Sequence, residues 1–279
     1  MYYRWAGASY TSNGRDWLPS ADRWLASVYQ DVEAVSPTAM YLVGLWATVP
    51  SYGEGLAFSS DGGHTFDYRA WDIDTSPRYA SFVDEATGFI TGGQWPYEET
   101  ARFGKGTLLM NQHVSLDTRD PGLRAEYEGY RGVIARTTDG GLTYEMLYDD
   151  YDRFYFNGIH FLDAQHGWAV AEGDEGAWVL RTTDGGVTWE ESHFEPAGSL
   201  MQIRMVDDLE GWAVGAVLTT GFKSLFLHTV DGGATWSKVD TTLPYYVMNI
   251  DAVDADHIWA VAYGIDGMFS LPVSYTHLT

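Results

Sequence analysis

The sequence predicts an all-β fold made of repeated four-stranded antiparallel units, and three features of the 279-residue chain lead to that expectation. One eight-residue phrase recurs along the chain, a second phrase follows it at a fixed distance, and short apolar runs alternate with turn-forming residues between them. No apolar pattern with the helical period of about 3.6 residues persists between the repeats. The chain therefore has the signature of a repeat architecture without helices.

The first phrase is a turn sequence rich in Asp and Gly. It occupies Thr137–Tyr144, Thr182–Trp189 and Thr229–Trp236, and a fourth copy, Ser59–Phe66, begins with Ser. A Gly-Gly pair supplies the positive φ angles of a tight hairpin, and an Asp carboxylate accepts hydrogen bonds from the amides of its own turn. We therefore predict a structural role for these residues, with a catalytic or calcium-binding role for the carboxylates as the alternative. The predicted structural positions are Asp61, Gly63, Thr65, Phe66, Asp139, Gly141, Thr143, Tyr144, Asp184, Gly186, Thr188, Trp189, Asp231, Gly233, Thr235 and Trp236.

The second phrase places an aromatic residue at the start of a predicted strand. It reads Gly-Trp-Ala-Val at Trp168 and Trp212 and Ile-Trp-Ala-Val at Trp259, and related versions surround Tyr41 and Phe89. Each aromatic lies about 28 residues after the Asp, or in one degenerate copy the Asn, of the preceding first phrase. A unit of about 47 residues with four short strands is the blade of a β-propeller.

The repeats predict about five blades in a single β-propeller domain, residues 1–279. With strands named a to d from the axis outwards, the chain begins with c and d of one blade, passes through four complete blades and ends with a and b. One interval between repeats is longer by about 30 residues, which predicts an insertion at about 94–131 in the b–c loop of the second complete blade. The tail, 268–279, fits the repeat poorly. Two interpretations remain open: a five-bladed ring closed by strand exchange, and a truncated propeller of six to seven blades.

Composition and charge exclude several classes of function. Sixteen Lys and Arg against 39 Asp and Glu leave a formal charge of -23, which repels nucleic acids and anionic membrane surfaces. The absence of cysteine excludes disulfides and thiolate metal sites. No run approaches the roughly 18 apolar residues of a membrane span, and no leader is visible after Met1. We expect a monomer with no cofactor, no metal, no nucleic-acid partner and no membrane insertion.

Candidate binding residues lie in the loops at the end of the blades opposite the Asp-Gly-Gly turns. The predicted d–a loop around Tyr148–Asp152 combines three carboxylates with aromatic side chains. Such a group can hold a hard cation through oxygen ligands or flank a sugar with an acid/base pair, and a solvated acidic loop is the plainer interpretation. The short hairpin with Glu172, Asp174 and Glu175 has the same alternatives. The candidate ligand-binding residues are Trp46, Trp95, Tyr97, Tyr148, Asp149, Asp150, Tyr151 and Asp152.

The recurring Ser/Thr-x-Asp-x-Gly-x-Thr-Trp phrase resembles the Asp-box, or BNR repeat, of sialidases, sortilin-like receptors, xyloglucanase-type glycoside hydrolases and the photosystem II stability/assembly factors. With Gly-Trp-Ala-Val interleaved between the boxes, the chain is most similar to the last of these families. This resemblance implies a non-catalytic scaffold that binds a protein partner or a glycan, and an extracytoplasmic location. The family is seven-bladed with a basic partner-binding patch, whereas this chain is acidic and predicts about five blades.

A carbohydrate-active enzyme or lectin is the main alternative, and an enzyme of this kind would be a glycoside hydrolase. Sialidases would need a Phe/Tyr-Arg-Ile-Pro stretch, which the sequence lacks, and no residue is assigned a catalytic role. A fragment of a sortilin-like receptor is disfavoured because the chain has no cysteine.

Overall fold

The computed structural model describes residues 8–21, 28–45, 55–94, 129–218, 222–254, 257–264 and 270–276. Every regular element in these ranges is a β-strand. None of these ranges contains a helix that could cross a lipid bilayer. The predicted all-β class is confirmed.

The strands form six antiparallel sheets. A two-stranded sheet contains β1 (Ser9–Tyr10) and β2 (Leu18–Pro19). The first four-stranded sheet contains β3 (Val28–Ala34), β4 (Met40–Leu45), β5 (Gly55–Ser59) and β6 (Asp67–Ala70). The second contains β7 (Ser76–Phe82), β8 (Gly88–Gln94), β9 (Arg131–Thr137) and β10 (Glu145–Tyr151). The third contains β11 (Tyr155–Phe161), β12 (Gly167–Gly173), β13 (Gly176–Thr182) and β14 (Glu190–Pro196).

The fourth contains β15 (Gly198–Met205), β16 (Gly211–Leu218), β17 (Phe222–Thr229) and β18 (Ser237–Lys238). The last sheet contains β19 (Tyr245–Asp254), β20 (His257–Gly264) and β21 (Ser270–Thr276). Strand order within each sheet follows chain order. The four complete sheets are the blades a to d that the repeat predicts, and about five blades fit the strands present.

The last sheet corrects the prediction for the C-terminal region. The sequence predicts that the chain ends with strands a and b, whereas β21 adds a third strand that pairs with β20 from His257↔Thr276 to Tyr263↔Ser270. The sequence repeat located strand c through the Asp-box that follows it. Because no box follows Ser270–Thr276, this strand had no signal.

Burial separates inner from outer strands. Every residue of the inner strands β7 and β11 is buried, whereas the outer strands β10 and β14 are mostly exposed or half-buried. Inner strands of successive blades lie side by side, β3 with β7, β11 with β15, and β15 with β19. These two inner strands are buried although they carry polar residues such as Arg78, Asn157 and His160.

The chain divides into two compact units, residues 1–128 with 134–146, and residues 129–133 with 147–279. In the first unit Tyr41 stacks on Phe82 with 3.6 Å between ring centroids. In the second unit one core surrounds Trp168 and Trp236, and another surrounds Trp212. Each unit thus buries its own set of aromatic side chains.

The two turns at one end of each blade are tied together by a backbone hydrogen bond. We call this end, which carries the a–b and c–d turns, the box end, and the opposite end the loop end. The first Gly of each Gly-Gly pair donates to an a–b turn carbonyl, at 2.8 to 2.9 Å. The four bonds are Gly62 N to Thr38 O, Gly140 N to Ala86 O, Gly185 N to Gln165 O, and Gly232 N to Leu209 O.

Candidate functional site

The Asp-box carboxylates at the box end are engaged by their own turns. Asp184 Oδ1 accepts hydrogen bonds from the Thr188 backbone N–H at 2.9 Å and from the Thr182 hydroxyl at 2.8 Å. Its Oδ2 accepts from the Thr188 hydroxyl at 2.6 Å. The same contacts recur in the other three boxes and lower the pKa of Asp61, Asp139 and Asp231 to about 2, chiefly through the Thr hydroxyl. Each Asp carboxylate thus stabilises the conformation of its own turn through these hydrogen bonds.

A second set of structural carboxylates lies in the a–b turns and was missed by the sequence analysis. Oδ1 of Asp84 accepts from the backbone N–H groups of Ala86 and Thr87, at 2.8 and 2.7 Å. Asp163 and Asp207 make the equivalent pairs of bonds in later blades. Backbone hydrogen bonds lower the pKa of Asp84 and Asp207. A sequence signal existed, since each Asp lies four residues before the Gly that starts strand b.

At the loop end, the predicted run Tyr148–Asp152 lies mostly in a strand. The sequence analysis placed it in a d–a loop, but β10 continues to Tyr151 and only residues 152–154 connect it to β11. The outer strand is longer than predicted because Asp149 and Asp150 face polar partners instead of a core. Two of the three expected loop carboxylates are therefore fixed on a strand.

The carboxylates of this run have protein partners. Arg131 donates from Nε to Asp149 Oδ1 at 2.8 Å and from Nη2 to Asp149 Oδ2 at 2.9 Å, and its guanidinium lies 4.9 Å from the centroid of the Tyr151 ring. Asp150 accepts from the Tyr148 hydroxyl at 3.3 Å and from the Tyr151 N–H at 2.9 Å. Burial, and then the charge of Asp150, raise the pKa of Tyr148. The bidentate ion pair neutralises one of the charges that a bound cation would need.

Asp152 closes the run in a left-handed conformation, with φ of 69°. Its N–H donates to the Tyr130 carbonyl at 2.7 Å, and its carboxylate packs directly on the Cα of Gly129. The structure thus brings Tyr148–Asp152 next to the chain that leads into β9. The other three candidates, Trp46, Trp95 and Tyr97, lie outside the described residues. Within the described ranges no three His, Asp or Glu side chains are grouped so that they could hold a metal ion.

A chain of hydrogen bonds crosses three blades at the loop end of the second unit, and the sequence analysis missed most of it. The hydroxyl of Tyr155 donates to one oxygen of Glu172, and the hydroxyl of Ser199 donates to the other. Ser199 also shares a hydrogen bond with the Tyr246 hydroxyl, which contacts Met201 Sδ at 3.2 Å. We call these five residues the polar chain. Their signal in the sequence was a Tyr or Ser in the first two positions of each inner strand.

Aromatic and acidic groups extend the polar chain towards Arg131. The ring of Tyr130 stacks on that of Tyr155 with centroids 6.1 Å apart and planes 10° apart. The Tyr130 hydroxyl donates to Asp174 Oδ1 at 3.2 Å. Tyr130 and Tyr155 are 4% exposed, whereas Glu172 is half-buried and Asp174 is exposed. The carboxylates of Glu172 and Asp174 are therefore closer to solvent than the buried rings of Tyr130 and Tyr155.

The inner strands share a β-bulge near their loop ends. Register shifts occur after Tyr29, Pro77, Phe156, Leu200 and Val247, which is the same place in every inner strand. A bulge inserts an extra residue and re-aims nearby side chains, and bulges are common beside functional sites. In the second unit the inserted positions include Asn157, Met201 and Met248, so the bulges lie beside the polar chain.

The chain is similar to known proteins over the part that carries three of the Asp-box repeats. Residues 143–262 match a family model described as the photosynthesis system II assembly factor YCF48. The chain is a BNR-repeat β-propeller similar to the photosystem II assembly factors. The matched segment runs through three of the four Asp-boxes in part or whole and contains the whole polar chain.

A curated relative points to the same family. The photosystem II assembly lipoprotein Ycf48 of Synechococcus sp. (strain CC9902) is 31% identical over 152 residues, which is 49% of this chain and 43% of that protein. The chain thus matches less than half the length of this relative.

Solved structures share the fold at low identity. The GH74 enzyme of Niastella koreensis is 12% identical with a TM-score of 0.60, over 91% of this chain and 37% of that one. A chain of a nidogen/laminin complex is 8% identical with a TM-score of 0.57, over 94% and 88%. A structure of YCF48 bound to D1 peptide is 14% identical over 94% and 93%, and its TM-score of 0.40 is too low to support a structural claim.

Proposed function

We propose that this protein is a non-catalytic propeller scaffold that binds a protein partner at its loop end, as an assembly factor of the photosystem II type. The observation that carries this proposal is the match of residues 143–262 to the YCF48 model. The 31% identical relative, itself named an assembly lipoprotein, supports the same function and an extracytoplasmic location.

The chemistry of the described carboxyl groups supports binding over catalysis. A carboxylic acid that acts as a general acid near neutral pH needs a raised pKa. Hydrogen bonds lower the pKa of seven described carboxyl groups, those of Asp61, Asp84, Asp139, Asp163, Asp184, Asp207 and Asp231. These groups are therefore charged acceptors at neutral pH.

The loop end also offers accessible contact residues. Tyr151 and Phe194 are 39% and 42% exposed. The Arg131 guanidinium packs on the Tyr151 ring, and the Phe194 ring contacts the Trp178 ring with 5.0 Å between centroids. Rigid, partly exposed aromatic side chains are typical anchors of protein interfaces. The box end, by contrast, consists of turns held by their own carboxylates.

The test is a binding measurement with immobilised protein. The first probe is a D1 peptide, the partner of YCF48 in the structure cited above, with a scrambled peptide of the same composition as control. Detergent-solubilised photosystem II proteins are the second probe. We expect saturable binding that Tyr151→Ala or Phe194→Ala weakens by about tenfold, corresponding to about 1.4 kcal/mol each.

The matched control is Val187→Ala, which removes a side chain that is 65% exposed in a box-end turn. We expect it to leave binding unchanged. Absence of binding to both probes would overturn the proposal, and so would equal losses for the loop-end and box-end variants. Hydrolysis of a β-glucan by the wild-type protein would favour the glycoside hydrolase alternative.

A further inference from the structure

We infer that the turn between β1 and β2 is a self-modification site, at which Asn13 loses its side-chain amide and becomes an aspartate or an isoaspartate. This turn is the degenerate copy of the Asp-box, in which Asn13 stands at the position of the box Asp and is followed by Gly14. The inference goes beyond the proposed function and does not depend on it.

The reaction needs an asparagine, the backbone amide that follows it, and water. The nitrogen of Gly14 attacks Cγ of Asn13 and forms a C–N bond, Nδ2 leaves as ammonia, and a cyclic succinimide remains. Water then opens the ring at either carbonyl, which gives aspartate or isoaspartate. Glycine favours the attack, because it has no Cβ to crowd the nitrogen and adopts unusual backbone angles at little cost.

The first support is the way the turn holds the amide of Asn13. Its Oδ1 accepts the backbone N–H groups of Arg15 and Asp16, both at 2.9 Å. This oxygen gains negative charge when Cγ is attacked, and two amide donors that are already directed at it stabilise that charge, as in an oxyanion hole. Its Nδ2, the leaving group, donates to Asp16 Oδ2 at 2.8 Å, which fixes the orientation of the side-chain amide.

The second support is a path for the proton through Thr11. The Gly14 N–H donates to Thr11 Oγ1 at 3.0 Å, and the Thr11 hydroxyl donates to Asn13 Oδ1 at 3.3 Å. During the attack the nitrogen loses a proton and Oδ1 gains one, so this hydroxyl connects the two sites of proton transfer. Asn13 and Gly14 are exposed, which gives water access to the succinimide.

The third support is the contrast with the complete Asp-boxes, which are protected in two ways. The Gly that follows the box Asp donates its N–H to another turn, as Gly185 does to the Gln165 carbonyl at 2.9 Å. Succinimide formation from aspartate also requires a protonated carboxyl, and hydrogen bonds, chiefly from a Thr hydroxyl, lower the pKa of Asp184. Gly14 instead donates within its own turn, and Asn13 carries a neutral amide.

The product changes the turn, because a carboxylate replaces a hydrogen-bond donor. The Nδ2 of Asn13 donates to the Asp16 carboxylate, whereas in the product two carboxylates face each other and repel. Strands β1 and β2 have two residues each, and the Tyr10 ring of β1 lies 4.0 Å from the His64 ring of the first complete blade. We therefore expect the modification to loosen the β1–β2 sheet from this blade.

The experiment follows the two Asn-Gly sequences of the chain, Asn13–Gly14 and Asn157–Gly158, by peptide mass spectrometry during incubation at neutral pH. Asn157 is the matched control, since it is fully buried and its Nδ2 donates to the Leu200 carbonyl at 2.8 Å. Protein unfolded in guanidinium chloride gives the rate of each site without the fold. In the folded protein we expect Asn13 to react at least as fast as in the unfolded chain, and Asn157 to react about tenfold more slowly or less, because it must first be exposed by local unfolding.

Two variants of Thr11 test the proton path. Thr11→Val removes the hydroxyl and keeps the shape of the side chain, whereas Thr11→Ser keeps the hydroxyl. We expect Thr11→Val to slow the conversion of folded Asn13 by about tenfold or more, and Thr11→Ser to react within about twofold of wild type. In the unfolded chain the two variants should react at the same rate.

A charge exchange tests the consequence for the turn. Asn13→Asp reproduces one of the two products, and we expect it to accelerate hydrogen exchange of the β1–β2 backbone amides without changing exchange in β15. Adding Asp16→Asn restores a donor opposite the new carboxylate and should return the exchange to the wild-type rate.

Three results would overturn the inference. The first is a slower reaction of Asn13 in the folded protein than in the unfolded chain. The second is equal rates of folded Thr11→Val and Thr11→Ser. The third is unchanged hydrogen exchange of β1–β2 in Asn13→Asp. None of these measurements uses a partner protein, so their outcome is separate from that of the binding test above.

Discussion

Equivalent tryptophans in neighbouring blades differ in one hydrogen bond. Trp168 and Trp212 open strand b of successive blades and are 2% and 3% exposed. The indole N–H of Trp168 donates to the Gly232 carbonyl at 3.0 Å. The indole N–H of Trp212 is buried and has no acceptor within the described part of the chain. An unpaired buried donor carries a free-energy cost, so the two residues contribute differently to stability.

We predict that Trp168→Phe lowers the free energy of unfolding by about 1–2 kcal/mol more than Trp212→Phe. The first change breaks the hydrogen bond to the Gly232 carbonyl, whereas the second removes a donor that has no acceptor among the described residues. Both keep an aromatic ring in the core. Urea unfolding of the two variants measures the difference, and equal losses would show that the Trp168 hydrogen bond contributes nothing net.

A buried histidine gives the fold a defined response to acid. His160 is 8% exposed, and its Nδ1 accepts the Met205 N–H at 3.1 Å. Burial, and then the charge of Arg204, lower its pKa from 6.5 to about 3. The folded protein therefore keeps His160 neutral at pH values at which the unfolded chain binds a proton.

We predict that stability falls as the pH decreases from about 6.5 towards 3, because the unfolded state then binds more protons than the folded state. The slope of the unfolding free energy against pH between about 7 and 5 should decrease in His160→Gln, which cannot take up that proton. An unchanged slope in His160→Gln would contradict the assignment.

At the scale of the element, the Asp-box turn combines two constraints that glycine substitution can separate. Gly14, in the degenerate copy, has φ of 68° and open space where a Cβ would lie. Gly233 has φ of 75°, and a Cβ there would overlap the Trp168 indole. The two glycines thus have nearly the same left-handed backbone conformation, but only Gly233 lacks space for a side chain.

We predict that Gly14→Ala costs about 1–2 kcal/mol of stability, which is the strain of a left-handed alanine. Gly233→Ala should cost about 1–3 kcal/mol more, because the added methyl displaces a buried ring. Chemical unfolding of both variants measures the two costs. Equal costs would contradict the close contact between Gly233 and the Trp168 indole of the preceding blade.

The elements that the sequence predicted well are those with a repeated chemical requirement. A Gly-Gly turn with an Asp and a Thr has few alternatives, so four boxes located four complete blades. Strand β21 was missed because no box follows it, and the length of β10 was underestimated because Asp149 and Asp150 are atypical strand residues. In the strand, Asp149 pairs with Arg131, which is 18 residues away in the sequence. Asp150 accepts a hydrogen bond from Tyr148, two residues earlier on the same strand.

At the scale of the whole molecule, repetition predicted the fold but not the site. The polar chain joins Tyr155, Glu172, Ser199 and Tyr246, which are 17 to 47 residues apart along its successive hydrogen bonds. No local pattern records such a convergence, because it depends on how three sheets stack. The carboxylates of the Tyr148–Asp152 run were conspicuous in the sequence, yet the structure gives Asp149 and Asp150 partners of their own.

The net charge of -23 is a property of the whole chain and predicts how stability responds to salt. Self-repulsion destabilises the compact state more than the expanded unfolded chain. Raising the ionic strength from about 0.01 M to 0.1 M shortens the screening length from about 30 Å to about 10 Å, so repulsion across the molecule weakens. We therefore predict that the free energy of unfolding increases over this range.

Urea unfolding at several NaCl concentrations measures this increase, and parallel series in KCl and CaCl₂ at matched ionic strength test its origin. Screening depends on ionic strength, so NaCl and KCl should give the same rise. A much larger rise in CaCl₂ at low concentration would instead indicate a specific cation site, since a ligand that binds the folded state stabilises it by mass action. A fall in stability with NaCl would mean that attractive pairs such as Arg131–Asp149 outweigh the repulsion of the whole chain.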